Sequence, residues 1–531
     1  MGELSKKMVK RLIQKHEKKA RQRRPASPRG EGSPQATQRL FEITPGLLTW
    51  VVLLSPLWLG PFVPTAVAFF LTFLAMFWVY RALVHIVGVF IGYRRFKRET
   101  GINWLEKVKR LPEFARLKHL IVIPAVNEGY EILEPSLASI AKSHYPKEKI
   151  FVAFTVEEKY AARVLSDVKK VKEKYGERLG TVWTFIHPAG LPGEVVGAAA
   201  NRTWAAKQVI KKLERRGEKL DDFLVTTFDA DMRLHPQFLA RLAHAYLTDP
   251  KPDNKFFQTA VYLFDNNLWD VPPLMRIQAN SITLAVLSSW VFEADRKDTW
   301  SCYSVTLPTL IETGYWDPAL GVDDTPFFWR AFFKKGGEFG GHHFYVPVYA
   351  DAVQDEGWVK THISQYRQLL RWGWGVIVFP IAMKGFLTAK IPLRLKLTKL
   401  YHMIEQYTIW RTVTFLVTFG FLLLAFANPA IRQTSWGYRL PKITGLILTS
   451  AFILLLPLTI LRAKITRPMP ENWPLWKKVW AYLEGPLVII NLLTYTFIPY
   501  LDAETRLMLG KRLEFRFTPK IKAKENALAT T

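Results

Sequence analysis

One cysteine, Cys302, occurs in 531 residues. A lone thiol excludes an intrachain disulfide framework and any zinc site built on paired cysteines. Acidic residues are also scarce: 45 Asp and Glu stand against 73 Lys and Arg, a formal charge of +28. A basic surface of that size would suit nucleic acid, but the charge gathers in the tails and beside apolar segments. The N-terminal run SKKMVKRLIQKHEKKARQRRPASPRG has no aromatics to stack on bases. A membrane-surface tail is therefore expected for residues 1–41, basic, disordered and cytosolic, and no nucleic-acid partner. The first apolar segment lacks a small-residue cleavage site, which excludes a signal-peptide reading. No inverted repeat is visible, and intramembrane charges beyond Arg81, Glu405, Arg411 and Glu484 are few, which argues against a transporter.

What is abundant is apolar and aromatic: 49% of the chain is hydrophobic, with 35 Phe and 19 Trp. This excess sits at both ends, around a middle of soluble composition. Segments 46–62 and 63–93 are each long enough to span a bilayer, so residues 42–95 are read as two transmembrane helices. Basic residues on both sides of this hairpin place the N-terminus and the following domain in the cytosol, at a cell (inner) membrane. Segments 401–427, 443–461 and 479–500 are further candidate spans. WGWGVIVFPIAMKGF reads as an interfacial helix. Residues 375–531 are thus expected to hold that helix, further spans and a basic tail.

Between them, residues 96–374 alternate β-like runs with amphipathic helices. HLIVIPAVNEG, KIFVAFTVEEK, TVWTFIHP and DDFLVTTFDAD read as strands, which implies an α/β domain with a mainly parallel sheet, inserted between membrane helices. Such sheets collect ligands at the carboxyl ends of their strands. Asn127, Glu128, Glu157, Glu158, Asp229 and Asp231 all fall there.

Three motifs carry chemistry, each with a plainer reading beside it. Asp229 and Asp231 in FDAD could share a hard cation such as Mg2+ or Mn2+ and through it two phosphates; alternatively Asp231 or His235 opens the next helix. Asp323 and Asp324 in VDDTPFFWR could supply a general base, or could only cap the helix they precede. A helix N-terminus would lower such an acid's pKa. Gln368, Arg371 and Trp372 in QLLRW share one helical face that suits a sugar ring and a diphosphate; an interfacial aromatic belt is the alternative. His342-His343 is expected in a loop rather than on a metal, Cys302 as a small apolar side chain, and 264–276 at an acceptor entrance.

The order IPAVNEG, VEEK, DAD, VDDTPFFWR, QLLRW, with membrane segments on both sides, resembles the family 2 processive glycosyltransferases, the group of cellulose and hyaluronan synthases. The resemblance covers roughly residues 96–400. It implies a GT-A domain that inverts the anomeric centre, moving a sugar from a UDP- or GDP-sugar to a growing polysaccharide, with polymer translocation and contact with membrane lipids. Asp324 would be the catalytic base. Asn127, Glu128, Glu157, Asp229 and Arg371 would hold the nucleotide sugar, with Glu157 or Glu158 in place of the usual second-strand aspartate. Asp229 and Asp231 would hold Mg2+ or Mn2+. Asp323, Gln368 and Trp372 would meet the acceptor end and the diphosphate. An oligosaccharide or lipid acceptor remains open, the alternative being a non-processive transfer to a polyprenyl phosphate or other lipid. Two departures stand out. HPAGLPGEVVGAAANRTW puts Val196 and Ala198 where relatives carry lysines, so a donor-side cation is absent or comes from elsewhere. VEEK replaces a DDxS-like pattern.

Overall fold

The computed structural model describes residues 35–453, 455–511 and 513. Most of both basic tails lies outside the described residues.

The four predicted strands form: β1 (Lys118–Ala125), β2 (Ile150–Glu157), β3 (Thr181–His187) and β4 (Phe223–Thr227). They lie in the order β3-β2-β1-β4, all parallel. The β-branched and aromatic residues of β1, β2 and β4 bury both faces, as parallel strands between helices must, while the edge strand β3 is partly exposed. Leu120 and Val122 face Ala205, Val209 and Leu213 of the Ala198–Arg215 helix; Ile121 and Ile123 belong with Leu133 and Leu137 of the Tyr130–Ala141 helix.

Beyond β4 the sheet continues with β8, β6 and β9, giving a seven-stranded mixed sheet. β5 (Arg233–Leu234) and β7 (Tyr262–Leu263) form a small second sheet with β10 (Val348–Tyr349), while β6 spans Lys255–Thr259, β8 Tyr303–Thr306 and β9 Gly340–Phe344. Only β8 runs against the others in the large sheet. Because β1 feeds β2 on one side and β4 lies on its other side, a crevice opens between the ends of β1 and β4.

Among the described residues, three helices are long and apolar enough to cross a membrane: Pro64–Thr100, Leu393–Ala427 and Leu475–Met508. Segment 46–62 is divided between the Gln35–Leu53 and Ser55–Leu59 helices, and 443–461 between Ser435–Phe452 and Leu455–Ile465; neither is among the three. The Pro64–Thr100 helix docks on the Pro273–Phe292 helix of the middle domain. Gly88 and Gly92, one turn apart, make that possible, because a Cβ at either would run into Ser288 or Leu287. The segment expected to be interfacial packs on the middle domain. Val378, Phe379, Ala382 and Phe386 of the Val378–Thr388 helix are buried, and Phe386 packs 5.6 Å from Phe333.

Candidate active site

A cavity of about 460 Å3 occupies the crevice at the strand ends. Glu128 lines it after β1, Asp229 and Asp231 after β4, and Asp323 and Asp324 at the start of the Asp324–Lys334 helix. Gln368, Arg371 and Trp372 reach it from the Trp358–Gly373 helix. All three chemical motifs therefore meet in one place, although they span some 140 positions of sequence.

The capping alternatives can now be decided. The helix after FDAD begins at Phe238, and no side chain caps it. The Asp324–Lys334 helix starts at Asp323-Asp324 but receives no side-chain cap either. Both carboxylates point elsewhere. Asp324 Oδ2 accepts the Ser301 backbone N–H at 2.8 Å, and Asp323 pairs with Arg202.

Arg202 is the residue that sequence reasoning missed. Its side chain is 2% exposed, and its guanidinium joins three acids: Asp229 Oδ1 at 2.7 Å, Asp323, and Asp324 Oδ1 at 3.6 Å. It thus brings a buried cation to the cavity, which Ala198 also lines. A signal was present in the sequence. Arg202 falls on the same helical stripe as the buried Ala199, Ala206, Val209 and Leu213, so an arginine interrupts an otherwise apolar face. A charge in that position requires buried partners.

Its neighbour Asn201 points to the other side of the helix and donates to Glu157 Oε1 at 3.0 Å. Glu157 is 2% exposed and also faces His187 Nδ1 at 3.6 Å. Its carboxylate therefore holds the β3 end and the Ala198–Arg215 helix and does not line the cavity, contrary to its expected place at the nucleotide. Glu158 accepts the Ala189 N–H at 2.8 Å. Asn127 is exposed and outside the cavity lining; its backbone N–H, with that of Val126, donates to Glu128 Oε2 at 3.0 and 2.6 Å.

The electrostatics of Asp324 follow from this packing. A position in the first helical turn favours the ionised form. Burial works against it and is the larger effect; the carboxylate of Asp323 adds repulsion, and Arg202 offsets part of it. The outcome is a pKa raised well above the ordinary carboxylate range, opposite to the expectation from the helix end alone. Arg371 is desolvated, which lowers its pKa, while Asp229, Asp323 and Asp231 favour its charge. A guanidinium stays cationic under both influences. Ser301 sits at φ 33° and ties the two acid pairs together, donating its N–H to Asp324 and its Oγ to Asp229 Oδ2 at 3.4 Å.

Among the described residues, no group of three or more His, Cys, Asp or Glu is arranged to hold a metal alone. Asp229, with a side chain 40% exposed, and Asp231 present hard oxygens to one cavity. Two carboxylates completed by phosphate oxygens and water are a set that Mg2+ or Mn2+ accepts. The pair fits a cation that arrives with a diphosphate, not one caged by protein.

No family model matches the chain, and no curated protein matches it. Among solved structures it is similar to a Pyrobaculum calidifontis mannosyltransferase in complex with GDP-Man and Mn2+, at 15% identity, covering 83% of this chain and all of that one, TM-score 0.42. It is also similar to S. aureus TarS 1–349 (14% identity, 74% and 92% covered, TM-score 0.35) and to that protein in complex with UDP-GlcNAc (13%, 74% and 93%, 0.33). Likenesses this distant carry no weight for function, which has to be argued from the site.

The smaller expectations resolve locally. His342-His343 lies on strand β9, not in a loop: His342 Nδ1 meets Asp249 at 2.6 Å and His343 stacks on Trp290. Cys302 is buried, and burial pushes its thiol pKa up, consistent with a packing role. Of 264–276, Phe264 lines the cavity and Asn266 donates to the Asp231 carbonyl at 3.1 Å.

Proposed function

We propose that the protein is an inverting family 2 hexosyltransferase with a GT-A domain, moving a sugar from a UDP- or GDP-sugar to an acceptor hydroxyl at the cytosolic face of a cell membrane. The observation that carries this reading is the release of Asp323 and Asp324 from helix capping into a cavity shared with Asp229, Asp231, Arg371 and Trp372.

Asp324 is the base. Its ionised carboxylate takes the acceptor hydroxyl proton as that oxygen bonds to the anomeric carbon. The bond from that carbon to the donor phosphate breaks on the opposite face, and the diphosphate leaves with the electron pair. A raised pKa makes Asp324 a stronger base than a free aspartate once it is ionised. Arg371 faces the leaving diphosphate, and Trp372 and Gln368 hold the sugar end by stacking and hydrogen bonding. Arg202 keeps Asp229, Asp323 and Asp324 at fixed separations, so little reorganisation is needed at the moment of reaction. When bound by Asp229 and Asp231, Mg2+ or Mn2+ neutralises charge on the leaving diphosphate. A growing polysaccharide and a lipid-linked acceptor both offer the required hydroxyl.

The test is nucleoside diphosphate release by the purified protein with Mn2+ and a panel of nucleotide sugars. Asp324→Asn should lower kcat by about 10²–10⁴-fold with donor KM little changed. Equal release by the wild type and the variant with every donor removes the proposal.

A further inference from the structure

A second cavity, about 590 Å3, adjoins the first; Ile282 and Tyr500 line both. Its walls come from the Pro273–Phe292 helix and from each of the three helices long and apolar enough to cross a membrane. Trp78 and Arg81 belong to Pro64–Thr100, Trp410 to Leu393–Ala427, and Val488 and Leu492 to Leu475–Met508. The lining is mostly aliphatic and aromatic. Of its charged side chains, Arg81 is matched inside the cavity by Glu293 and lies 4.9 Å over the Trp410 ring, while Arg462 donates to the Ala481 carbonyl at 3.4 Å. Gln278 is 6% exposed, and its amide oxygen has no hydrogen-bond partner among the described residues.

We propose that this cavity takes the hydrocarbon chain of a lipid-linked acceptor, whose hydroxylated head reaches Asp324 where the two cavities share Ile282 and Tyr500. The proposal rests on the glycosyltransferase reading and names its acceptor class. A mainly apolar recess walled by membrane-length helices accommodates a hydrocarbon chain, whereas a sugar chain filling it would hold much of its hydroxylated surface against aliphatic and aromatic walls. Ser281, half-buried and next to Ile282, offers a hydroxyl near the point where chain meets head. Ile282 and Tyr500, shared by both cavities, let a chain in the second chamber bring its head beside the acid cluster.

The experiment has two readouts on the full chain in lipid nanodiscs. In the first, without donor, an alkyl glycoside carrying a benzophenone in its chain is photocrosslinked and the adducts are mapped. In the second, diphosphate release is followed with methyl, octyl and dodecyl glycosides as acceptors. Ala285 lines the cavity and is exposed, so Ala285→Trp fills space without displacing a packed side chain. Leu492→Trp enlarges a lining side chain on the Leu475–Met508 helix. Crosslinks should fall on 78–86 and 277–293 and drop about tenfold or more in both variants, as expected when several methylenes lose their site. The dodecyl-to-methyl ratio of kcat/KM should fall likewise, with the methyl glycoside rate and donor KM unchanged. Crosslinks elsewhere, or a ratio equal in wild type and both variants, overturn the proposal. Cavity crosslinks without diphosphate release from any donor leave the lipid site standing and overturn the transferase reading instead.

Discussion

Arg202→Met removes the cation at the centre of the acid cluster while roughly keeping its volume. Asp323, with a side chain only 10% exposed, then loses its pairing partner. Removing one member of a buried ion pair costs about 3–5 kcal/mol, because the other charge is left desolvated. Asp229 adds little to this, since its side chain is 40% exposed and water screens it. At roughly 2 °C per kcal/mol for a domain of this size, the melting temperature should fall by about 6–10 °C. The effect also has a sign in pH. Without Arg202, the Asp323–Asp324 pair holds a proton more tightly in the folded than in the unfolded state. A folded-state carboxyl pKa raised in this way costs stability as pH rises through the window, so the deficit should be largest in alkaline buffer and smallest in acid. Asp323→Asn in the Arg202→Met background removes the stranded charge and should recover most of the loss. Intrinsic tryptophan fluorescence of the purified protein, followed on heating across a pH series, provides the assay. A drop below about 2 °C, equivalent to about 1 kcal/mol, or a double variant no more stable than Arg202→Met alone, refutes the account of Arg202 as a buried bridge.

Two further outcomes follow from the same geometry. The acidic limb of kcat/KM should lie above the range of an ordinary carboxylate, because Asp324 must be ionised and its pKa is raised by burial and then by Asp323. Activity is therefore lost as pH falls through that raised value; Asp323→Asn should move the limb down and Arg202→Met should move it up, and a limb unmoved by either variant assigns the base elsewhere. Chelation should abolish diphosphate release and Mn2+ or Mg2+ should restore it, with Asp231→Asn needing more cation for half-maximal activity and Asp324→Asn needing no more than wild type; titration of the cation against release measures this, and an unchanged requirement in Asp231→Asn separates that residue from the metal.

The α/β core of the middle domain was legible because period and composition are local properties. HLIVIPA, IFVAFTVE, TVWTFIH and FLVTT could only be buried strands, and alternation with amphipathic helices forced a parallel arrangement. The rule that ligands gather at strand carboxyl ends then located Glu128, Asp229 and Asp231 correctly at the cavity. It failed for Glu157, because strand-end position does not fix which way a side chain turns. The carboxylate of the last residue of β2 turns to Asn201 and His187. The sequence likewise exposed Arg202 as a charge on an apolar helical stripe but gave no means of naming three acids 27, 121 and 122 residues away.

Chain order by itself determined which residue types are available: two acid pairs, an arginine and an indole at helical spacing, and apolar segments at both ends. Tertiary structure decided their use. Whether Asp323 and Asp324 cap a helix or face the cavity depends on a guanidinium brought in from another helix. The basicity of Asp324 depends on burial outweighing the helix end, an effect of surrounding atoms rather than of neighbours in sequence. The second chamber exists because three distant apolar helices, Pro273–Phe292 and Leu455–Ile465 enclose the same volume, and no segment of the chain contains that information alone.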